Sequence, residues 1–467
     1  MFTRLCNAIT PLFTRRDILK YTSCGFGWMA FSGLASSLAA STARAAPPDS
    51  PLSPKKPHFP ASAKRVIFLC MRGGPSHLDM FDYKPKLIAD NGKPGPRPGS
   101  KLLGSKFKFE QQGKSGLWIS ELFPELAQRA DDLCMINSMQ TDLPAHPQAL
   151  VRLHTGTSQF IRPSLGAWTL YGLGTENENL PGFVSITPPS GFGGATNYGS
   201  SFLPAIYQGT RLGNDNRPIS SAEVAHLKSK QQQDDQRAEL DFMQALNRHK
   251  LEKDRVNPDV EGAIQASELA FRMQSEMPEV MDLTDETEAT KRLYGIGDRN
   301  ADDFGRKCLL ARKMVEAGVR FVEVTHGNWD HHRNLNASLE RSCSEIDKPV
   351  AGLLADLKKR GMLKDTLVVF TGEFGRTPYA QGQDGRDHNN KAFSLWMAGG
   401  GVKEGYVYGK SDEYGYEAVE NPVPIHDLHA TILALLGLNH ELLTYNHAGR
   451  DFRLTDVHGN VIKDVIA

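Results

Sequence analysis

Short, unbroken apolar runs rich in β-branched residues recur along this chain, each ending at a glycine or a charged loop. Residues 65–71, 133–139, 319–325, 366–370 and 392–398 have this texture, which predicts strands buried on both faces. A shorter run at 184–186 predicts one more. Between them the apolar positions shift to helical spacing. Residues 304–317 carry Leu309, Leu310, Met314 and Val315 on one face and close at Gly318, while 338–360 close at Gly361. Helices are also expected at 122–130, at 148–154, and at 429–436 with Asp427 as N-cap. Strand–helix alternation of this kind predicts an α/β fold: a mostly parallel central sheet with helices on both faces.

Two stretches depart from that rhythm. Residues 158–200 are dense in Gly, Pro and aromatic positions and predict a long loop packed over the strand ends. From about 220 to 300 the chain is charged and Gln-rich with helical apolar spacing (Leu240, Met243, Leu246; Leu269, Met273), which predicts a helical insertion.

Composition adds the compartment. Arg15 and Arg16 are followed by Ile18, Leu19 and Lys20, then a modest apolar stretch and the small-x-small pattern at 43–45. This predicts a twin-arginine signal peptide over 1–45, hence a periplasmic or otherwise exported protein that uses the twin-arginine export machinery. The stretch is too rich in Gly and Ser for a good membrane helix, so no stable membrane span is expected after cleavage. Residues 46–63, with six prolines, predict an extended linker, leaving 64–467 as the folded domain. The whole chain has a formal net charge of zero, but the leader holds five basic groups and one acid, so the remainder is acidic by about four charges. Nucleic acid is not an expected partner, because its binding needs a clustered basic face. Beyond the leader, Cys70, Cys134, Cys308 and Cys343 form no C-x-x-C pair.

Candidate chemistry gathers where the predicted strands stop. The four ends carry His77 and Asp79, then His146, then Asp330, His331 and His332, and finally Glu373, Asp387 and His388. In an open parallel sheet such ends converge on one crevice. Carboxylates and imidazoles without a cysteine set suit a divalent metal, Zn, Mn or Ca, as one or two ions. Arg72 and Arg376 lie at the same ends and can neutralise an anionic substrate.

The ordered motifs GGPSHLDMFDYKP at 73–85, TG at 155–156, WDHH at 329–332, TGEFGRTP at 371–378 and GRDHN at 385–389 carry a family resemblance. With ATILALLG at 430–437 and GRDFRLT at 449–455, they resemble an exported, sulfatase-like bacterial family catalogued as domain of unknown function 1501. That family is similar in fold to the alkaline phosphatase and sulfatase superfamily. The resemblance implies an alkaline phosphatase-like three-layer sandwich and a metal-dependent hydrolase of phosphate or sulfate esters, small-molecule or glycan-borne. It implies Asp330, His332 and His388 as ligands of one metal position, with Glu373 in the place of a ligating Asp and Asp79 as a substitute for a first-strand Asp. Phe374 stands where the superfamily has a further ligand. His146 stands where the formylglycine-forming Cys would be, so formylglycine chemistry is not expected. His146 is then the candidate nucleophile or general acid–base. His77, His331 and Asp387 are supporting or alternative residues. The competing expectation is a binding or scaffold protein of the cell envelope that keeps the fold without turnover.

Overall fold

The computed structural model describes residues 50–222, 232–254 and 257–467. The twin-arginine leader expected at 1–45 lies outside the described residues. The described residues divide into two compact units, one of residues 51–222 and 265–467 and the other of residue 50 with residues 232–254 and 257–264. Within the predicted insertion the described helices are Gln233–Asp254, Pro258–Met281 and Glu288–Leu293. In the smaller unit the Gln244 side-chain amide donates to the Ile264 carbonyl at 2.9 Å. No helix among the described residues is long and apolar enough to cross a membrane.

The larger unit is built on a nine-stranded sheet. Its strands, with one outlying hairpin, are β1 (Arg65–Met71), β2 (Leu133–Gln140), β3 (Phe183–Ile186), β4 (Thr210–Leu212), β5 (Phe321–His326), β6 (Thr366–Thr371), β7 (Gly375–Gln381), β8 (Gly385–Asn389), β9 (Phe393–Ala398), β10 (Tyr406–Tyr408) and β11 (Val423–Pro424). The sheet order is β10-β2-β9-β6-β1-β5-β3-β4, with β11 also paired to β2, while β7 and β8 form the hairpin outside the sheet. Every pairing in the sheet is parallel except those of β9, which runs antiparallel to both β2 and β6. The sheet is therefore mostly parallel, as its runs of Val, Ile, Leu and Phe require. Strands β5, β6 and β9 are buried at every residue, which needs a covering layer on each face.

Those layers are visible in the ring contacts. The main helices are α1 (His146–Thr155), α2 (Leu165–Leu173), α3 (Asp302–Glu316), α4 (Leu335–Lys359) and α5 (Ile425–Leu435). On one face Phe68 of β1 meets His154 of α1, with ring centroids 5.9 Å apart. On the other, His326 of β5 lies edge-on to Phe304 of α3 at 5.1 Å. Adjacent residues of a strand point to opposite faces, so this two-sided cover follows from the alternation.

Three local expectations are corrected. The loop expected over 158–200 contains α2, capped by Ser164, whose hydroxyl accepts from Ala167 N at 3.4 Å. This helix is buried almost all round, so it has no polar face to give it a readable period. Asp427 is not the N-cap of the last helix, which begins at Ile425 after Pro424; its carboxylate instead accepts from Asn460 N at 2.8 Å. The stretch expected as a free linker is, from Pro51 onward, laid along the larger unit. There Lys55 N bonds the Leu173 carbonyl and Ser62 N the Leu435 carbonyl, both at 2.9 Å, and Ala63 is fully buried. All four described cysteines are free, buried thiols.

The hairpin β7–β8 stands beyond the end of β6 and is pinned from beneath. Arg386 is fully buried and grips Asp79 through Nε at 2.8 Å and Nη2 at 3.2 Å, while its Nη1 bonds the Thr377 carbonyl at 3.0 Å. Removing one partner of such a pair strands a buried charge. Arg386→Met is expected to lower unfolding free energy by about 3–5 kcal/mol in urea titration, and the double change Arg386→Met/Asp79→Leu to recover most of that loss. A cost near zero for the single variant would show that the pair does not hold the hairpin.

Candidate metal centre

Parallel alignment of β1, β5 and β6 places their C-terminal ends on one edge, in the register Cys70↔Thr325 and Cys70↔Thr371. Loops leaving those ends carry Gly73, residues 329–332 and Glu373. Strand β2 ends at Gln140 and leads to α1, whose first residue is His146. The hairpin adds a fifth segment, with His388 opposite Arg376.

Four side chains from these segments meet. The ligand atoms of His146, Asp330, His332 and His388 all lie within 4.8 Å of one another. Asp330 Oδ1 is at the centre, with His332 Nε2 at 2.8 Å, His146 Nε2 at 3.1 Å and His388 Nε2 at 3.3 Å. The Nε2 atoms of His332 and His388 are 2.9 Å apart.

The outer nitrogens decide what these contacts mean. His146 Nδ1 is 2.6 Å from Glu373 Oε1, His388 Nδ1 is 2.6 Å from the Pro144 carbonyl, and His332 Nδ1 meets the Gln381 side-chain oxygen. Each of those partners accepts, so each neutral ring carries its proton on Nδ1 and turns a bare Nε2 lone pair inward. Three lone pairs then converge on a carboxylate oxygen that receives a proton only from Arg376, an arrangement that a cation satisfies. In keeping with this, His146 Nε2 is buried and lacks a hydrogen bond of acceptable alignment despite its closeness to Asp330. The donor set therefore fits a divalent ion. Burial acts to raise the Asp330 pKa, but His146 and His388, whenever they carry a proton on Nε2, and Arg376 hold it well below the usual carboxylate range. Burial likewise opposes charge on His146, yet Asp330 and Glu373 together draw its pKa upward. The Asp330 side chain is about half exposed and those of His332 and His388 are partly so, which leaves one side of the cluster open to solvent.

The residues expected at the site divide into three groups. Asp330, His332 and His388 are in the cluster, and His146, expected as nucleophile or acid–base, joins them through the ligand atom Nε2. Glu373, expected as a ligand, is instead fully buried, accepting from His146 Nδ1 and from Gly73 N at 2.9 and 3.1 Å; its extra methylene relative to Asp brings it to the imidazole. Asp79 is likewise outside the cluster, held by Arg386 and by Ser76 Oγ at 2.5 Å.

Arg376, expected to face substrate, is fully buried. It donates to the Gly74, Arg386 and Trp329 carbonyls at 2.8, 3.1 and 3.2 Å and to Asp330 Oδ1 at 2.7 Å. Its role is to tie three loops together and aim Asp330. His77 is buried against the Gly415 carbonyl at 2.9 Å, and Asp387 pairs with Arg97 at 3.1 Å. His331 is buried too, and burial pulls its pKa down to about 4, so it is neutral. Arg72 lies over the Phe192 ring at 4.8 Å, and that ring meets His146 edge-on at 5.8 Å.

Two close approaches explain glycines in the motifs. A Cβ on Gly73, whose φ is +120°, would fall 2.7 Å from Asp330 N, and one on Gly385 would fall 1.8 Å from the His332 carbonyl oxygen. Phe374 packs against the His146 and His388 rings at 4.7 and 4.6 Å, and those two rings meet each other at 4.3 Å. Sequence reasoning did not find Gln381, the Pro144 carbonyl or Phe192. Only the position of Pro144 before the predicted first turn of α1 could have hinted at its carbonyl.

The family described as "Protein of unknown function (DUF1501)" matches residues 63–466. The chain belongs to the DUF1501 family. No curated protein matches it. Among solved structures, the DUF1501 chain is similar to the PsFucS1 sulfatase from Pseudoalteromonas sp., at 14% identity and a TM-score of 0.35, with 81% of this chain and 69% of that one covered. It is similar also to alkaline phosphatase from the Antarctic bacterium TAB5, at 12% identity and a TM-score of 0.32, covering 80% and 98%. The lipoteichoic acid synthase LtaP from Listeria monocytogenes aligns at 9% identity and a TM-score of 0.37, covering 89% and 80%. These overlaps are loose, and the architecture described above rests on the strand order itself.

If Glu373 fixes the His146 tautomer, Glu373→Ala should weaken metal affinity about 10–100-fold in competition with a chromophoric chelator. Glu373→Gln, whose amide oxygen still accepts from Nδ1, should lose less. Arg72→Gln should bind metal as the parent does. An unchanged affinity in Glu373→Ala would contradict this assignment.

Proposed function

We propose that this protein is an exported, metal-dependent hydrolase of the alkaline phosphatase and sulfatase-like class, cleaving a phosphate or sulfate ester in the periplasm without a formylglycine. The observation that carries the reading is the inward convergence of three imidazole Nε2 atoms on Asp330, each with its Nδ1 against an outer acceptor, at the solvent-open edge of a parallel sheet. The twin-arginine leader and the motif series at 73–85, 329–332, 371–378 and 385–389 support it. Three nitrogen donors favour Zn²⁺ or Mn²⁺ over Ca²⁺, which prefers an all-oxygen shell. Phe374 packs against both the His146 and the His388 rings and has no ligand atom to offer, which favours a single ion.

When bound, such an ion supplies Lewis acidity toward an ester oxygen and lowers the pKa of water. The protein's own part is positional. Glu373 holds the His146 proton on Nδ1, and Arg376 fixes Asp330 from below. Arg72 is the basic group placed beside the cluster to meet the anionic oxygens of the ester; its present acidic partner is Asp215 at 3.4 Å. Among the described residues no Ser, Thr or Cys side chain hydrogen-bonds to the four cluster residues, and His146 turns its Nε2 to the ion, so we take water as the attacking group.

That same lack of a side-chain nucleophile favours a second reading, in which the centre binds metal and ligand without turnover. Protein recovered from its export compartment is expected to carry about one divalent ion per chain. It should hydrolyse at least one member of a panel of aryl phosphates, phosphodiesters and sulfates, with His388→Ala at least about 100-fold slower. A full metal complement with no turnover above the His388→Ala level selects the binding reading. No metal after reconstitution removes both.

A further inference from the structure

We propose that a second cavity, separate from the four-donor cluster, binds a saccharide unit carrying one negative charge. The cavity has a volume of about 360 Å³ and lies along α1 from the loop before it to the loop after it, closed by residues near the C-terminus. That size falls within the range of small-ligand sites. None of the four cluster residues lines it, although Leu143 does, one residue before the carbonyl that bonds His388.

Charge accounting sets the ligand's sign. Arg152 is answered by Asp142 at 2.7 Å and Arg453 by Glu441 at 3.7 Å. Nearby Arg450 is answered by Asp456 at 2.8 Å. Arg162 makes no ion pair within 4.0 Å among the described residues, Asp456 acting on it only from farther off, and it lines the cavity with its guanidinium 4.1 Å from the centre of the Phe452 ring. Stacking on an aromatic face leaves the edge N–H groups of a guanidinium free to hold a carboxylate or sulfate. One unanswered cation calls for one negative charge.

The remaining walls set the ligand's shape. Phe160 offers a flat apolar face that is 60% exposed, with the Arg162 guanidinium 5.3 Å from its ring centre, while Phe452 carries Arg162 itself. In the same lining, Ser158 and Gln159 bring hydroxyl and amide groups. His426 adds an imidazole kept neutral by burial and by Arg152, with its pKa near 4. Apolar faces with hydroxyl-matching groups at their edges suit a sugar ring rather than a simple aryl acid, which has nothing to bond there.

Titration calorimetry with the full chain tests this, using methyl glucuronide, a monosulfated monosaccharide, methyl glucoside and benzoate as separate ligands. One or both charged sugars should bind saturably in the millimolar range or tighter, and Arg162→Gln should weaken them at least about tenfold. Phe160→Ala, a change at an exposed ring, should also weaken them while leaving the melting temperature unchanged. Binding should survive chelation, so failure of the metal centre and failure of this site are distinguishable. Equal binding of the neutral glucoside, equal or tighter binding of benzoate, no effect of Arg162→Gln, or no saturable binding would each overturn the assignment.

Discussion

A carboxylate oxygen can accept about two hydrogen bonds in good geometry, yet Asp330 Oδ1 has four nitrogen atoms within about 3.3 Å. One of them, on Arg376, is a true donor that takes one lone pair. The other three belong to imidazoles whose protons are already committed outward, to Glu373, to the Pro144 carbonyl and to Gln381. Buried or half-buried lone pairs facing one another are costly, and a protein keeps them in contact only where something positive belongs between them. Much of the surrounding structure is arranged to hold that contact: the bare glycine at 73, the buried Arg376 and the hairpin seated on the His332 carbonyl at Gly385.

Support for the cluster is layered in depth. Nearest are the three acceptors that set the imidazole tautomers. Beneath them Arg376 gathers the Gly73, Gly74 and Trp329 loops through backbone carbonyls, so that β1, β5 and β6 are joined at their ends as well as along their ladders. Deeper still, the Asp79–Arg386 pair anchors the hairpin that delivers His388 and Gln381. Each layer contributes polar groups that would be expensive to bury alone, which explains why so many charged residues here are fully enclosed.

Much of the fold was legible in the sequence because its signals are strong. Continuous β-branched runs announced β1, β2, β5, β6 and β9, and amphipathic spacing announced α3 and α4. What stayed hidden had physical reasons. Helix α2 is buried all round and so carries no period, and β9 gives the same apolar run whether it pairs parallel or antiparallel. At the site, residue type identified Asp330, His332 and His388 as candidates, since strand ends of a parallel sheet must converge. Type alone could not show that Glu373 reaches an imidazole rather than the centre, or that Asp79 and Arg376 lie beneath it. It could not show either that a backbone carbonyl at Pro144 sets a tautomer, because carbonyls have no sequence signature.

The claim on which everything else depends is that His146, His332, His388 and Asp330 are ligands of one ion. X-ray absorption at the metal edge, on protein recovered with its native metal, tests it most directly. The expected shell is three nitrogen scatterers with imidazole multiple scattering plus oxygen, at about 2.0–2.2 Å for zinc, losing one imidazole in His332→Ala. A shell containing sulfur, a shell unchanged in that variant, or no edge signal after reconstitution would contradict it.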